Sequence, residues 1–209
     1  MGFGCAQGRV LYVNLELDRA SCLNRLRDVY EAMDVAPANA GKIDVWNLRG
    51  APVPMDKLAP KLIRRAQKKG YIAVIIDPIY KVITGDENSA DQMARFCNQF
   101  DLICSRLGCA VIYCHHHSKG AQGAKKAMDR ASGSGVFARD PDAQLDVTER
   151  VLSESEYNRI TPAAGARPFR LSCTRREFAN PGPVNFWFDW PMHFVDRENL
   201  NDAPEEGSP

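Results

Sequence analysis

The sequence predicts an α/β fold with a mostly parallel sheet, followed by an antiparallel β extension. Nearly unbroken apolar runs, YIAVII at 71–76 and CAVIYC at 109–114, alternate along the chain with segments whose apolar residues recur at helical spacing. Such runs are typical of strands buried on both faces of a parallel sheet flanked by helices. Beyond residue 150, residues 169–174 and 184–189 alternate in polarity around a turn-forming Asn-Pro-Gly-Pro at 180–183, which predicts an antiparallel hairpin.

The same patterns predict the individual elements in order. Strands are predicted at residues 9–15, 43–48, 71–76, 109–114 and 143–148, and helices at 20–33, 55–69, 90–107 and about 134–139. Residues 118–135 are rich in Gly, Ser, Ala and Lys, which predicts a loop. We therefore expect a core over 1–150, a hairpin extension over 151–196 and a polar tail over 197–209.

Composition indicates the type of protein and the compartment in which it is expected. The 209 residues, 44% of them apolar and 25% charged, predict a globular domain with a sizeable core. The seven cysteines form no CxxC pair, which favours reduced thiols, and no apolar run is long enough for a bilayer. We therefore expect a cytoplasmic protein. A net charge of +1 gives no global attraction to nucleic acid, so any such binding needs local patches.

Polar residues follow three successive predicted strands: Glu16, Asp77, and the histidines at 115–117. Ligands of parallel sheets bind at the carboxyl ends of the strands, so these residues predict a site. Asp77 can hold a hydrated Mg²⁺, Glu16 can serve as a general base towards water, and a histidine can stabilise phosphate charge. The alternatives are a helix cap or turn for each acid, and a solvated loop or an incidental metal site for the histidines.

These residues together resemble a known family. VLYVNLE at 10–16, VIIDP at 74–78 with GDEN at 85–88, and HHHSKG at 115–120 followed by ASGSG at 131–135 resemble the RecA-like ATPases of the hexameric plasmid helicase (RepA) type, members of the AAA ATPases. The likeness covers about residues 8–150. It implies a RecA-like fold, ATP and Mg²⁺ as cofactors, single-stranded DNA as a partner, and a homo-oligomer, a hexamer in the intact protein.

The resemblance also implies roles for single residues. Asp77 looks like the Walker B acid that holds magnesium, Glu16 like the catalytic carboxylate, and His115 or His116 like the γ-phosphate sensor. Residues 118–132 and the loop after Asp77 look like the segments that face the DNA channel.

Basic residues extend this implied site. The second channel loop carries the positive side chains Lys119, Lys125, Lys126 and Arg130, which can track a phosphate backbone or simply be solvated. Arg175 and Arg176 lie where related assemblies place an arginine that reaches a neighbour's nucleotide, or they are ordinary packing arginines.

One part of the family pattern is missing. A P-loop needs GxxxxGK[ST], and no such segment occurs in these residues. The family has it before the strand at Val10, so we expect a chain cut upstream, with weak or no ATP hydrolysis. The missing strand is expected between the strands at Cys109 and Ala143.

A non-catalytic DNA-binding or scaffold module on the same fold is the main alternative. A metal-dependent hydrolase using 115–117 with Asp77 is a weaker one, since these residues lack tight ligand spacing.

Overall fold

The computed structural model describes residues 4–35, 41–51, 53–116, 136–197 and 200. The chain divides into two compact units rather than the single core that composition suggested. One unit comprises residues 5–116, and the other contains the described residues outside that range. Among the helices of the described residues, none has both the length and the apolarity that crossing a membrane requires.

The first unit is a four-stranded parallel sheet in the order β2-β1-β3-β4, with helices between successive strands. The β1/β2, β1/β3 and β3/β4 pairs all run parallel, which confirms the predicted α/β class. The elements are β1 (Arg9–Asn14), α1 (Arg19–Ala32), β2 (Ile43–Asn47), α2 (Met55–Ala66), β3 (Tyr71–Asp77), a 3-10 turn (Ile79–Lys81), α3 (Ala90–Leu107) and β4 (Ala110–Tyr113).

The side chains on the two faces of this sheet differ in how deeply they are buried. On one face Val13 and Ile76 are fully buried, and Tyr113, the neighbour of Ile76 in register, stacks on Phe100 of α3 with ring centroids 4.7 Å apart. Side chains on a strand alternate between faces, so Ile112 projects from the opposite face, where it is 48% exposed. The apolar run at 109–114 therefore predicted the strand β4 correctly. The expectation that both faces of this strand are buried was wrong, because Ile112 is partly exposed.

The second unit is a four-stranded antiparallel sheet in the order β5-β6-β7-β8. A small core of Ala166, Trp187 and Leu200 packs with partly buried Tyr157 and Ile160. The elements are α4 (Val136–Arg139), β5 (Ala143–Glu149), α5 (Glu154–Ile160), β6 (Arg167–Arg175), β7 (Val184–Asp189) and β8 (Met192–Asp196). The antiparallel extension, including the β6/β7 hairpin, is confirmed.

Two expectations about this unit need correction. The strand predicted at 143–148 was expected in the parallel sheet, but β5 pairs antiparallel with β6 over its whole length. Its alternation explains this, because Asp146 and Thr148 are buried while Leu145 and Val147 are exposed, as in a strand with two unlike faces. The extension is also larger than a hairpin, since α5 and β8 were not predicted.

Candidate active site

The strand ends of the first unit bring three predicted segments to one edge of the sheet. Asn14, the last residue of β1, is the register partner of Asp77, and the Leu15 amide donates to the Asp77 carbonyl over 2.9 Å. On the other side of β3, the Cys114 amide donates to the Ile76 carbonyl over 3.0 Å. The backbone of the Glu16 loop, Asp77 and the start of the histidine run therefore lie side by side, as expected for parallel strands.

Asn14 shapes the loop that carries Glu16. Its amide nitrogen donates to the Leu17 carbonyl over 2.7 Å and to Asn47 Oδ1 over 2.8 Å. Its side-chain oxygen accepts from the amides of Glu16 over 3.3 Å and Leu17 over 3.0 Å. Asn14 is fully buried, while Glu16, in the loop that follows β1, is exposed. Sequence reasoning missed Asn14, although a polar residue closing an apolar strand was the available signal.

Asp77 is contacted by two side-chain donors, one from β1 and one from the residue directly after β4. The Tyr12 hydroxyl donates to Asp77 Oδ2 over 2.7 Å. Burial and then this hydrogen bond raise the pKa of Tyr12 above its ordinary value, so the hydroxyl keeps its proton and remains a donor at neutral pH. This donor was not predicted from the sequence, and neither was the second donor described next. Which side chains contact Asp77 depends on the register of the strands.

The second donor is the Cys114 thiol, which follows β4. The residue as a whole is exposed, yet its sulfur is partly withdrawn from water beside the carboxylate. This desolvation, followed by the charge and hydrogen bond of Asp77, raises the pKa of Cys114 to about 11. At neutral pH the thiol is therefore protonated and can donate to Asp77.

A single carboxylate of this kind suits magnesium better than a softer metal. Mg²⁺ keeps several of its waters and needs only one or two carboxylates, so Asp77 could hold it through those waters. Within the described ranges, no three His, Cys, Asp or Glu side chains are grouped closely enough to hold a metal ion together. Zinc and related metals usually take three or four such ligands from the protein.

The histidines leave the sheet directly after β4. The ring Nδ1 of His115 lies 2.7 Å from the His116 carbonyl oxygen, which can only accept, so Nδ1 carries the proton. His116 is exposed, and its ring centroid lies 5.7 Å from that of Tyr80. His117 and the predicted DNA-binding residues Lys119, Lys125, Lys126 and Arg130 lie outside the described residues.

Arg175 and Arg176 have local partners in the second unit. The guanidinium of Arg175 donates to the Ala179 carbonyl and lies 5.9 Å from the ring centroid of Phe178. The guanidinium of Arg176 donates to the carbonyls of Arg139, over 2.8 Å, and of Asp140. Both arginines thus brace turns next to β5 and β6. Their expected role across a subunit interface stays a prediction.

This arrangement defines a class of protein. A parallel α/β sheet whose strand ends bring together Asp77, the Glu16 loop and the start of the histidine run has the form of a nucleotide-binding domain. A sequence model of the AAA domain matches residues 2–122, more than half of the chain. The chain therefore belongs to the AAA domain family, as a RecA-like, ATPase-related module. AAA domains are generally nucleotide-binding, so ATP is a plausible ligand.

Proposed function

We propose that this chain is the part of a RecA-like ATPase that carries the magnesium acid and the general base. A cytoplasmic protein containing it would couple ATP hydrolysis to the binding or unwinding of single-stranded DNA, as RepA-type replicative helicases do. The observation that carries the proposal is the β1/β3 register, which sets Asn14 beside Asp77 and so brings the Glu16 loop to the magnesium acid.

Each side chain then has one task. Asp77 binds the waters of Mg²⁺, Glu16 orients and deprotonates the attacking water, and His115 or His116 contacts the γ-phosphate. Magnesium, when bound, would supply positive charge against the triphosphate. Arg175 or Arg176 would reach the nucleotide of a neighbouring subunit in a hexameric ring. The basic loop with Lys119, Lys125, Lys126 and Arg130 would contact the DNA backbone.

The P-loop is the piece that this function still needs. Its amides and lysine supply most ligands of a triphosphate, and the 209 residues contain no GxxxxGK[ST]. Among the described strands, β4 pairs only with β3, so its outer edge offers backbone groups to a further strand. We therefore expect the chain by itself to hydrolyse ATP weakly or not at all.

The test is to restore that piece. A P-loop strand and helix from a RepA-type relative is fused before Met1, and phosphate release from ATP is measured with magnesium. We expect hydrolysis in the fusion only, with Glu16→Gln and Asp77→Asn each lowering the rate by about 10²-fold or more. Glu31→Gln, which removes an exposed acid near the end of α1, is the matched control. Equal rates in all fused variants would contradict the proposed roles.

A non-catalytic DNA-binding or scaffold module on the same fold is the second candidate, since the 209 residues themselves contain no GxxxxGK[ST]. It predicts that the fusion stays inactive while the chain still binds DNA without nucleotide. DNA affinity measured with and without Mg-ATP separates the two. A motor core changes its affinity with nucleotide once the P-loop is present, whereas a scaffold does not.

A further inference from the structure

A rigid turn follows Asp77 and presents two side chains to solvent. Ile79 and Val82, which flank the pair, are completely buried. The Ile79 amide donates to the Cys114 carbonyl over 3.0 Å, and the Val82 carbonyl accepts from the Met55 amide over 3.1 Å. The turn is thus fastened to β4 and to the start of α2. Tyr80 and Lys81, between the two anchors, remain exposed.

Tyr80 and its neighbours form a small aromatic and basic surface. Tyr80 is 41% exposed, although burying an aromatic ring is normally favourable. The ammonium of Lys81 lies 4.8 Å from the centroid of that ring. The His116 ring lies 5.7 Å away, tilted by 52°, so the two rings diverge and do not stack. The backbone of Cys114, two residues before His116, forms hydrogen bonds both to β3 and to the turn.

These three side chains have the chemistry that recognises a nucleotide. Nucleobases stack on exposed aromatic rings whatever their sequence, and a nearby cation pairs with the phosphate. We infer that Tyr80, Lys81 and His116 form a nucleobase site, which we call the base platform. The base stacks on Tyr80 and displaces the Lys81 ammonium from the ring towards the adjoining phosphate, while His116 flanks the base. An exposed cation–π contact is weak enough for this exchange.

The base can belong to a free nucleotide or to a nucleic-acid strand, and the chemistry is the same. The inference rests on the proposed function only in taking nucleotides as ligands. Binding at the base platform needs neither a P-loop nor hydrolysis, so it is measured on the chain as it stands and without magnesium.

The experiment compares a labelled thymidine oligonucleotide with an abasic deoxyribose-phosphate strand of equal length, by fluorescence anisotropy at low salt. We expect the base-bearing strand to bind about tenfold tighter or more. Tyr80→Ala should remove that difference, whereas Tyr80→Phe should stay within about twofold because it keeps the ring face. Lys81→Gln should reduce the slope of log affinity against log salt by about one.

Phe194→Ala is the matched control, because Phe194 is also an exposed aromatic residue, 49% exposed, but lies in the second unit. Circular dichroism confirms that each variant is folded. Competition by ATP or thymidine monophosphate identifies a free nucleotide as the source. Binding of the strand without such competition identifies nucleic acid, and both outcomes support the platform.

Three results would overturn it: equal affinity for the abasic strand, wild-type binding by Tyr80→Ala, or no binding of any probe. Failure of the proposed ATPase looks different. The P-loop fusion would then remain inactive while base-dependent binding by the unfused chain persisted.

Discussion

At the scale of single residues, Asp77 is defined by the donors around it. Tyr12 donates from β1 and Cys114 from the end of β4, so the carboxylate is oriented from both sides before any ligand arrives. Catalytic groups benefit from such fixed orientation, because no reorganisation is then needed when the ligand binds. The acid itself was predictable from an apolar strand followed by Asp. Its donors were not, because they come from strands whose register the sequence does not display.

The thiol of Cys114 reports this environment. Because its pKa is raised to about 11, alkylation by iodoacetamide should be slow at pH 8 and accelerate as the pH approaches 11. Asp77→Asn removes the neighbouring negative charge, lowers the pKa of Cys114 and should speed alkylation at pH 8. Peptide mass spectrometry measures the rate, with exposed Cys5 as an internal reference. An unchanged pH profile in Asp77→Asn would show that the carboxylate does not control the thiol.

Asn14 is the residue on which the Glu16 loop depends. Asn14→Ala removes its hydrogen bonds to Glu16, Leu17 and Asn47 and leaves buried groups unpaired. We expect the free energy of unfolding to fall by about 2 kcal/mol. Urea denaturation measures the change. Asn24→Ala, at an exposed position on α1, should stay within about 0.5 kcal/mol of wild type. Similar losses in both variants would deny Asn14 this role.

At the scale of elements, the sequence predicted most strands and helices of the first unit to within a few residues. The apolar runs are strong signals there, and caps sharpen the ends. Ser89 caps α3 by accepting from the Gln92 amide, and Gly108 ends the helix in the left-handed conformation at φ +62°. The second unit was harder to predict. Short α5 has no buried residue, and β8 is short and half exposed, so neither carries a clear apolar period.

Gly85 links the loop after β3 to α3. It adopts φ +96°, and a Cβ placed there would overlap the Gln92 side-chain oxygen, which accepts from the Asp86 amide over 2.9 Å. Gly85→Ala should therefore lower the free energy of unfolding by about 1–2 kcal/mol, through backbone strain and displacement of Gln92. Thermal or urea unfolding tests this. Gly182→Ala, where nothing lies within 4 Å, is the control. Equal stability of the two variants would refute the argument.

At the scale of the whole molecule, the chain consists of two units, each with its own sheet. Composition suggested one domain because it measures only the total of apolar residues. The strand at 143–148 was assigned to the parallel sheet because sequence order alone continued the alternation of strands and helices. Which neighbour a strand pairs with is decided by long-range contacts, and β6 supplies them here.

Separate sheets predict separate unfolding. Trp46 lies in β2, whereas Trp187 and Trp190 lie in the second unit. In a Trp46→Phe variant, tryptophan fluorescence reports on the second unit alone, while far-UV circular dichroism reports on both. We expect the two urea transitions of this variant to differ in midpoint, because the chain as a whole is then not two-state. Coincident transitions would mean that the two units unfold together.

Among the strands that the structure describes, β4 is paired on one side only, and this has a practical consequence for anyone who makes the protein. Among the described strands β4 has one neighbour, and Ile112 on that strand and Ile72 on β3 are partly bare. An unpaired strand edge that carries an exposed isoleucine, Ile112, is a template on which copies of a polypeptide can add to one another. We therefore expect solutions of this protein to become turbid as the protein is concentrated. Light scattering would follow this, and a lysine in place of Ile112 is the first remedy to try.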